Sequence, residues 1–318
     1  MEARKVWAEA IGLSALAAFL YQSALLVFVF LVPLEVLSRR RGADWLGMAS
    51  VLTGLVILVS RIVGLVRLGV DWDASILLME MFAPVAFLAG LYLLETRLIV
   101  GVRRLYRLVQ AIMVVGAVSV PIIMLISSSD IAMQALRGQF EVLHDMFAGD
   151  AAGSPELGRF ATVDGLMDAV ITLLLSTYLF AYALVLSANW YLGRLIAAKM
   201  LGVEPYRLRR FYLPEPFIWA MVAASAGALL SVVAELGVFE HVAWNALFIV
   251  LLLYAAQGLG IMWSLLDRYE IAQAIRIGIA AGLVILLAIP GVNMLVFLGL
   301  PGLGLAETWI HFRPAKGA

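Results

Sequence analysis

The residues from Val242 to Leu266, VAWNALFIVLLLYAAQGLGIMWSLL, limit this chain more than any other stretch. A helix crosses the roughly 30 Å hydrocarbon core of a bilayer with about 20 apolar residues, so this run spans. It carries an amide, Gln257, near its middle, with Tyr254 and Ile261 on the same helical face. Hydrocarbon leaves the donors and acceptors of an amide unpaired, so Gln257 is expected to face the inside of a bundle. Gly258 beside it lets a neighbouring backbone approach.

The rest of the chain fits that setting. Of 318 residues 64% are hydrophobic and 14% charged, with mean hydropathy +1.01, where soluble domains carry about a quarter charged residues. The expected fold class is all-α: one polytopic transmembrane helical bundle over 1–318, in which 8 long apolar runs form up to 10 membrane segments. Lys+Arg and Asp+Glu both total 22, so no basic field points to nucleic acid. With no Cys there is neither a disulfide framework nor a thiolate nucleophile, and the three His leave little for a metal centre. The positive N-terminus runs into apolar sequence as far as Leu37 without a convincing cleavage site, and reads as a retained membrane segment.

Two runs are too long for one comfortable span. Residues 7 to 37 are expected to turn near Gln22, and 277 to 306 to break at Pro290-Gly291 and at Pro301-Gly302. Between them lie runs at about 44–60, 74–94, 108–126, 164–195, 217–234 and 242–266, with Pro121 expected to kink its helix. Small residues four apart, Ala223, Gly227 and Ser231, and again Gly278 and Gly282, suggest close helix seams. The polar connection 128–162 opens with Ile131, Ala135, Leu143 and Phe147 at helical spacing. That pattern reads as an amphipathic helix at the membrane surface or across the mouth of the bundle, ended by Gly149 to Pro155.

Charge placement bears on the segment count. If both overlong runs are split, only Arg61, Arg67, Arg137 and Arg159 fall on one side, and the other holds 18 of the 22 basic residues. Eight unsplit spans leave 14 against 8. The positive-inside rule favours the split, with both termini and the loops of Arg41, Arg104 and Arg209 cytoplasmic and Asp145 outside.

Leu213-Pro214 before a span with Trp219, Tyr254-Ala-Ala-Gln257-Gly258, the closing Gly304-Leu-Ala-Glu307-Thr-Trp309-Ile-His-Phe312-Arg313 and the Arg41-Gly42 turn occur in an order that resembles the YybS-like bacterial membrane proteins. That family is distantly similar to the substrate-binding S subunits of energy-coupling-factor importers and to MreD, a membrane partner in cell elongation. The resemblance implies an S-subunit-like core in the bacterial cytoplasmic membrane; it does not imply a ligand.

Six residues are candidates for ligand binding. Gln257 with Tyr254 reads as the polar end of a ligand site or as an interhelical hydrogen bond. Tyr178 and Tyr182 read as a pocket wall or as packing. Glu80 and Asp168, acids at similar depth inside their spans, read as a cation or proton site or as interface residues. Gln257 is expected to share a cavity or a packed interface with at least one of Tyr178, Tyr182 and Glu80. Lys199, Arg207, Arg209 and Arg210 form a candidate cytoplasmic docking loop, for anionic headgroups or an acidic protein, although topology alone explains their charge. Glu141, His144 and Asp145 have metal-ligand spacing but no evident further ligand, so a solvated face is expected and no metal or cofactor. No Walker A, GxSxG, HExxH or dinucleotide fingerprint is present, so no enzyme is expected. The expected partners are membrane lipid and a membrane or cytoplasmic protein. Two functions remain open: a substrate-capturing membrane subunit with an outward pocket, served by a separate energising protein, and a non-transporting scaffold of the MreD kind.

Overall fold

Eleven α-helices and two single 3₁₀ turns follow from this pattern of apolar runs among the described residues. A computed structural model of the chain describes residues 2–23, 26–67, 73–96, 104–151 and 162–313. The helices are α1 (Glu2–Gln22), α2 (Val32–Arg41), α3 (Ala43–Arg67), α4 (Ala74–Glu95), α5 (Arg104–Ser127), α6 (Asp130–Ala151), α7 (Val163–Leu201), α8 (Phe217–Val233), α9 (Val238–Arg268), α10 (Gln273–Ala288) and α11 (Asn293–Ala306). Five of them, α3, α4, α5, α7 and α9, are long and apolar enough to cross a membrane. Three more, α8, α10 and α11, are apolar but shorter.

Both overlong runs are broken. The first ends as a helix at Gln22 and resumes through the 3₁₀ turn Val27–Val29 into α2. The second breaks between Ala288 and Asn293, where Gly291 takes φ +82°, a conformation that suits a residue without Cβ. The expected break at Pro301-Gly302 is absent, because Pro301 lies buried inside α11. A proline forfeits one backbone hydrogen bond and crowds the preceding turn, and packing of α11 on α9 holds the helix through it. Pro84 and Pro121 are likewise carried inside α4 and α5.

Helix ends follow local chemistry. Asp73 caps α4 by accepting the Ser75 amide at 2.7 Å, and the Ser75 hydroxyl and amide hold its carboxyl below the usual carboxylate range. Thr162 caps α7 through the Gly165 amide at 3.1 Å. Gly202, at φ +65°, closes α7 in the left-handed conformation. The expected turn Gly149 to Pro155 falls partly on residues 152–155, and the charges of Asp71, Arg97, Arg103, Arg159 and Lys316 also lie outside the described residues.

The chain divides into two compact units, residues 1–175 with 181–205, and residues 176–180 with 206–318. In the first, α1 packs on α2 and α3, α3 on α2 and α4, and α4 on α5 and α6. Its core includes Leu31, Leu34, Leu37, Leu46, Ile57 and Leu91. In the second, α9 is central, with α8, α11 and the turn Leu208–Arg210 against it, and α10 on α11. The α8 seam is rotated from the expected one: Ala224, Ala228 and Ser231 are buried, whereas Ala223 is exposed.

Candidate functional site: a buried amide node and a charged clamp

Gln257 sits two-thirds along α9 and is 4% exposed, so the amide faces inward as the energetics of hydrocarbon require. Its Oε1 accepts the Leu213 backbone N–H at 2.7 Å. Its Nε2 donates to the Gly304 carbonyl at 3.0 Å and to Glu307 Oε2 at 3.2 Å. Leu213 belongs to the non-helical stretch before α8, where no helical acceptor is available for that N–H. Irregular backbone at membrane depth survives only when protein satisfies it, and Gln257 supplies that partner.

Arg313 completes the node. It is 5% exposed, donates through Nε to Glu307 Oε1 at 2.7 Å and through Nη2 to Glu307 Oε2, and stacks 3.7 Å above the Tyr212 ring. Its Nη1 donates at 2.9 Å to both the Arg209 and the Phe211 carbonyls. One guanidinium therefore neutralises a buried carboxylate and serves two more loop backbone groups. Close approach makes the geometry possible: a Cβ on Gly258 would strike the Leu300 carbonyl, and one on Gly304 the Tyr254 carbonyl. Tyr254, 2% exposed, packs with Ala224 and Val250 beneath Leu213. Three of the four features that carried the family resemblance thus meet at one point; the Arg41-Gly42 turn belongs to the first unit.

A second polar centre lies in the first unit and joins α2, α4 and α7. Arg39 donates to Glu35 at 2.9 Å and to both oxygens of Glu95 at 2.8 Å. Arg194 reaches Glu95 at 3.1 Å and lies 3.3 Å from Glu35, and Trp190 Nε1 donates to Glu95 at 2.8 Å. Arg194 also stacks on the Trp190 ring at 4.1 Å. Glu35 is fully buried, and a Cβ at Gly193 would lie 2.5 Å from its Cβ, so that glycine makes its room. Neither acid was a candidate from the sequence. The rule that singled out Glu80, an acid inside an apolar run, applies equally to Glu35 within 7–37, with Arg39 one turn away as its partner.

The other candidates are distributed between these frameworks. Glu80 pairs with Arg61 of α3 at 3.0 Å, both side chains part-exposed. Tyr182, 5% exposed, donates to the Ala86 carbonyl at 3.1 Å and stacks on Phe87. Asp168 is exposed on α7. Tyr178 is half-buried in the segment of α7 that groups with the second unit, where the neighbouring Leu179 N–H donates to Asn245 Oδ1 at 2.9 Å. Lys199, Arg207 and Arg210 are exposed, and Arg209 pairs with Asp267 at 2.5 Å. Glu141 lies 3.6 Å from Arg137 on the exposed side of α6, and Asp145 is exposed beside His144.

Two further amides repeat the chemistry of Gln257. Asn189, fully buried, accepts the Leu31 N–H at 3.0 Å and donates to the Phe28 carbonyl at 2.6 Å, serving the break before α2. Asn245, 2% exposed, serves the Leu179 N–H and donates to the His241 carbonyl at 2.8 Å. The signal for both was present in the sequence: an amide within a long apolar run must be assigned a partner.

Comparison with known proteins adds one match. The model of a family described as predicted membrane protein, DUF2232, matches residues 11–301. No curated protein and no solved structure matches the chain.

Proposed function

The chain belongs to the DUF2232 family of predicted membrane proteins, and from that premise we propose that it is a non-transporting scaffold of the MreD kind in the bacterial cytoplasmic membrane. In this reading 1–318 form one YybS-like membrane domain of ten segments with both termini cytoplasmic, and Lys199, Arg207, Arg209 and Arg210 form a cytoplasmic docking loop for anionic headgroups or an acidic protein. One observation carries the choice of scaffold over transporter: Gln257 is 4% exposed, and its amide accepts from Leu213 and donates to Gly304 and Glu307. Tyr182 and Glu80 are also engaged, with Ala86 and Arg61. A solute reaching Gln257 would have to displace contacts that hold helix and loop together, among them the acceptor of the Leu213 N–H.

The second reading, an S-subunit-like capture protein, rests on different residues. Asp168 is exposed on α7, and the Arg61–Glu80 pair is part-exposed. Gln257→Leu separates the two functions. It leaves the Leu213 N–H without its acceptor, and a scaffold should lose about 1–3 kcal/mol of stability while keeping partner recruitment. Loss of a co-purifying small molecule, identified by mass spectrometry, at unchanged thermal stability would refute the scaffold and favour capture.

A further inference from the structure

The turn that follows α11 is rigid on the inside and apolar on the outside. Backbone bonds from Thr308 to Leu305 at 3.0 Å, Trp309 to Ala306 at 3.1 Å and Ile310 to Ala306 at 2.8 Å shape it. Buried Glu307 and Arg313 clamp its two ends. Between them Trp309 is 63% exposed and Ile310 57% exposed. A chain that buries an ion pair to hold a turn does not thereby hide its tryptophan; it presents it.

Arginines are linked to this tip. Arg313 bonds the tip to the Arg209 and Phe211 carbonyls, and Arg209 bonds that loop to Asp267 at the end of α9. The same chain of contacts brings up Arg207 and Arg210 on the loop and Arg268 beside Asp267, all exposed, with Tyr269 at 70% exposure. Glu270 follows Tyr269, and Glu204 and Glu215 are exposed acids towards the two ends of the loop. Tryptophan and tyrosine favour the headgroup level of a bilayer, and arginines there attract anionic lipids. An acidic protein segment would account for the arginines; it would not call for Trp309 and Ile310 at the end of a membrane helix.

We propose that the turn Glu307 to Arg313, with Arg207, Arg210 and Arg268, is a binding surface for the headgroups of anionic phospholipids, into whose interface Trp309 and Ile310 insert. The arginines take the phosphates, and the indole and isoleucine take the glycerol and upper acyl region. The clamp sets the depth of the tip relative to α9 and α11. This surface does not depend on whether the protein is a scaffold or a capture subunit.

The full chain in nanodiscs tests it, because the native sequence has no Cys. A dye on Trp309→Cys should be quenched by doxyl-labelled lipid and shielded from aqueous iodide, the reverse of the same dye on Asp145→Cys. Adding phosphatidylglycerol to phosphatidylcholine discs should raise the unfolding temperature of the unmodified protein, and free inorganic phosphate should not. Arg207→Ala with Arg210→Ala should remove most of the stabilisation that phosphatidylglycerol gives over pure phosphatidylcholine and weaken phosphatidylglycerol retention by about tenfold. Iodide access equal to that at position 145, shielding from both quenchers, or equal phosphatidylglycerol retention by the double variant would each overturn the proposal. Shielding from both would identify a protein, not lipid, on the tip.

Discussion

The two polar centres solve different problems with similar residues. In the first unit Glu35, Arg39, Glu95 and Arg194 meet side chain to side chain and fasten three helices that are already complete. In the second, Gln257 and Arg313 divide their hydrogen bonds between the Glu307 carboxylate and backbone groups, those of Arg209, Phe211 and Leu213 lying in the stretch before α8. The first has overlapping partners, since each acid touches both arginines. The second has none to spare: Leu213 N–H is served by Gln257, and Glu307 is neutralised by Arg313. Redundancy predicts tolerance, and its absence predicts fragility.

The largest expected effect is therefore at Arg313. Arg313→Leu leaves Glu307, 7% exposed, without its counter-charge, and breaking a buried pair in this way costs about 3–5 kcal/mol. Arg39→Leu in the first unit leaves Arg194 on both carboxylates and removes a side chain that is 28% exposed, so about 1–2 kcal/mol is expected. Thermal unfolding in one detergent compares them. Equal losses would end the distinction between the two centres.

The glycines sharpen it next. At Gly258 an added Cβ meets a helix backbone carbonyl, which cannot move without displacing α11; at Gly90 it meets the far end of the Tyr182 side chain, which can rotate. Gly258→Ala should cost about 2–3 kcal/mol and Gly90→Ala about 1 kcal/mol, measured in the same way. If Gly90→Ala is the worse, Tyr182 is held more rigidly than its bond to Ala86 implies.

How much of this the sequence disclosed depends on the range of the signal. Helix positions were legible because apolar runs and caps are local: α9 and α8 begin and end within a few residues of expectation, and so does the break near Pro290. Gln257 was legible as inward-facing because solvation decides that without knowledge of any neighbour. Its partners were not, since Leu213, Gly304 and Glu307 lie 44, 47 and 50 residues away and hydropathy carries no pairing information. Pro301 misled for the same reason: the rule that proline breaks a helix is local, and the packing that overrides it on α9 is not. Glu35 is illegible for another reason: it stands one turn before three arginines that mark the end of a membrane run, so an acid there reads as part of the charged boundary.

The smallest effect expected is at an ion pair that neither centre includes. Arg137 of α6 lies 3.0 Å from Asp164 at the start of α7, within the range of distances between Glu35, Arg39, Glu95 and Arg194, but the two side chains are 52% and 68% exposed. Water screens such a pair, and ordering two free side chains offsets most of the attraction, so Arg137→Ala should cost at most about 0.5 kcal/mol. Adding salt should change the stability of the unmodified protein and of this variant alike. The comparison rests on burial and not on charge, so this pair is its control. A loss at Arg137 approaching that of Arg39→Leu would mean that distance alone sets the energy of these ion pairs, and the greater fragility assigned to Arg313 would then have no physical ground.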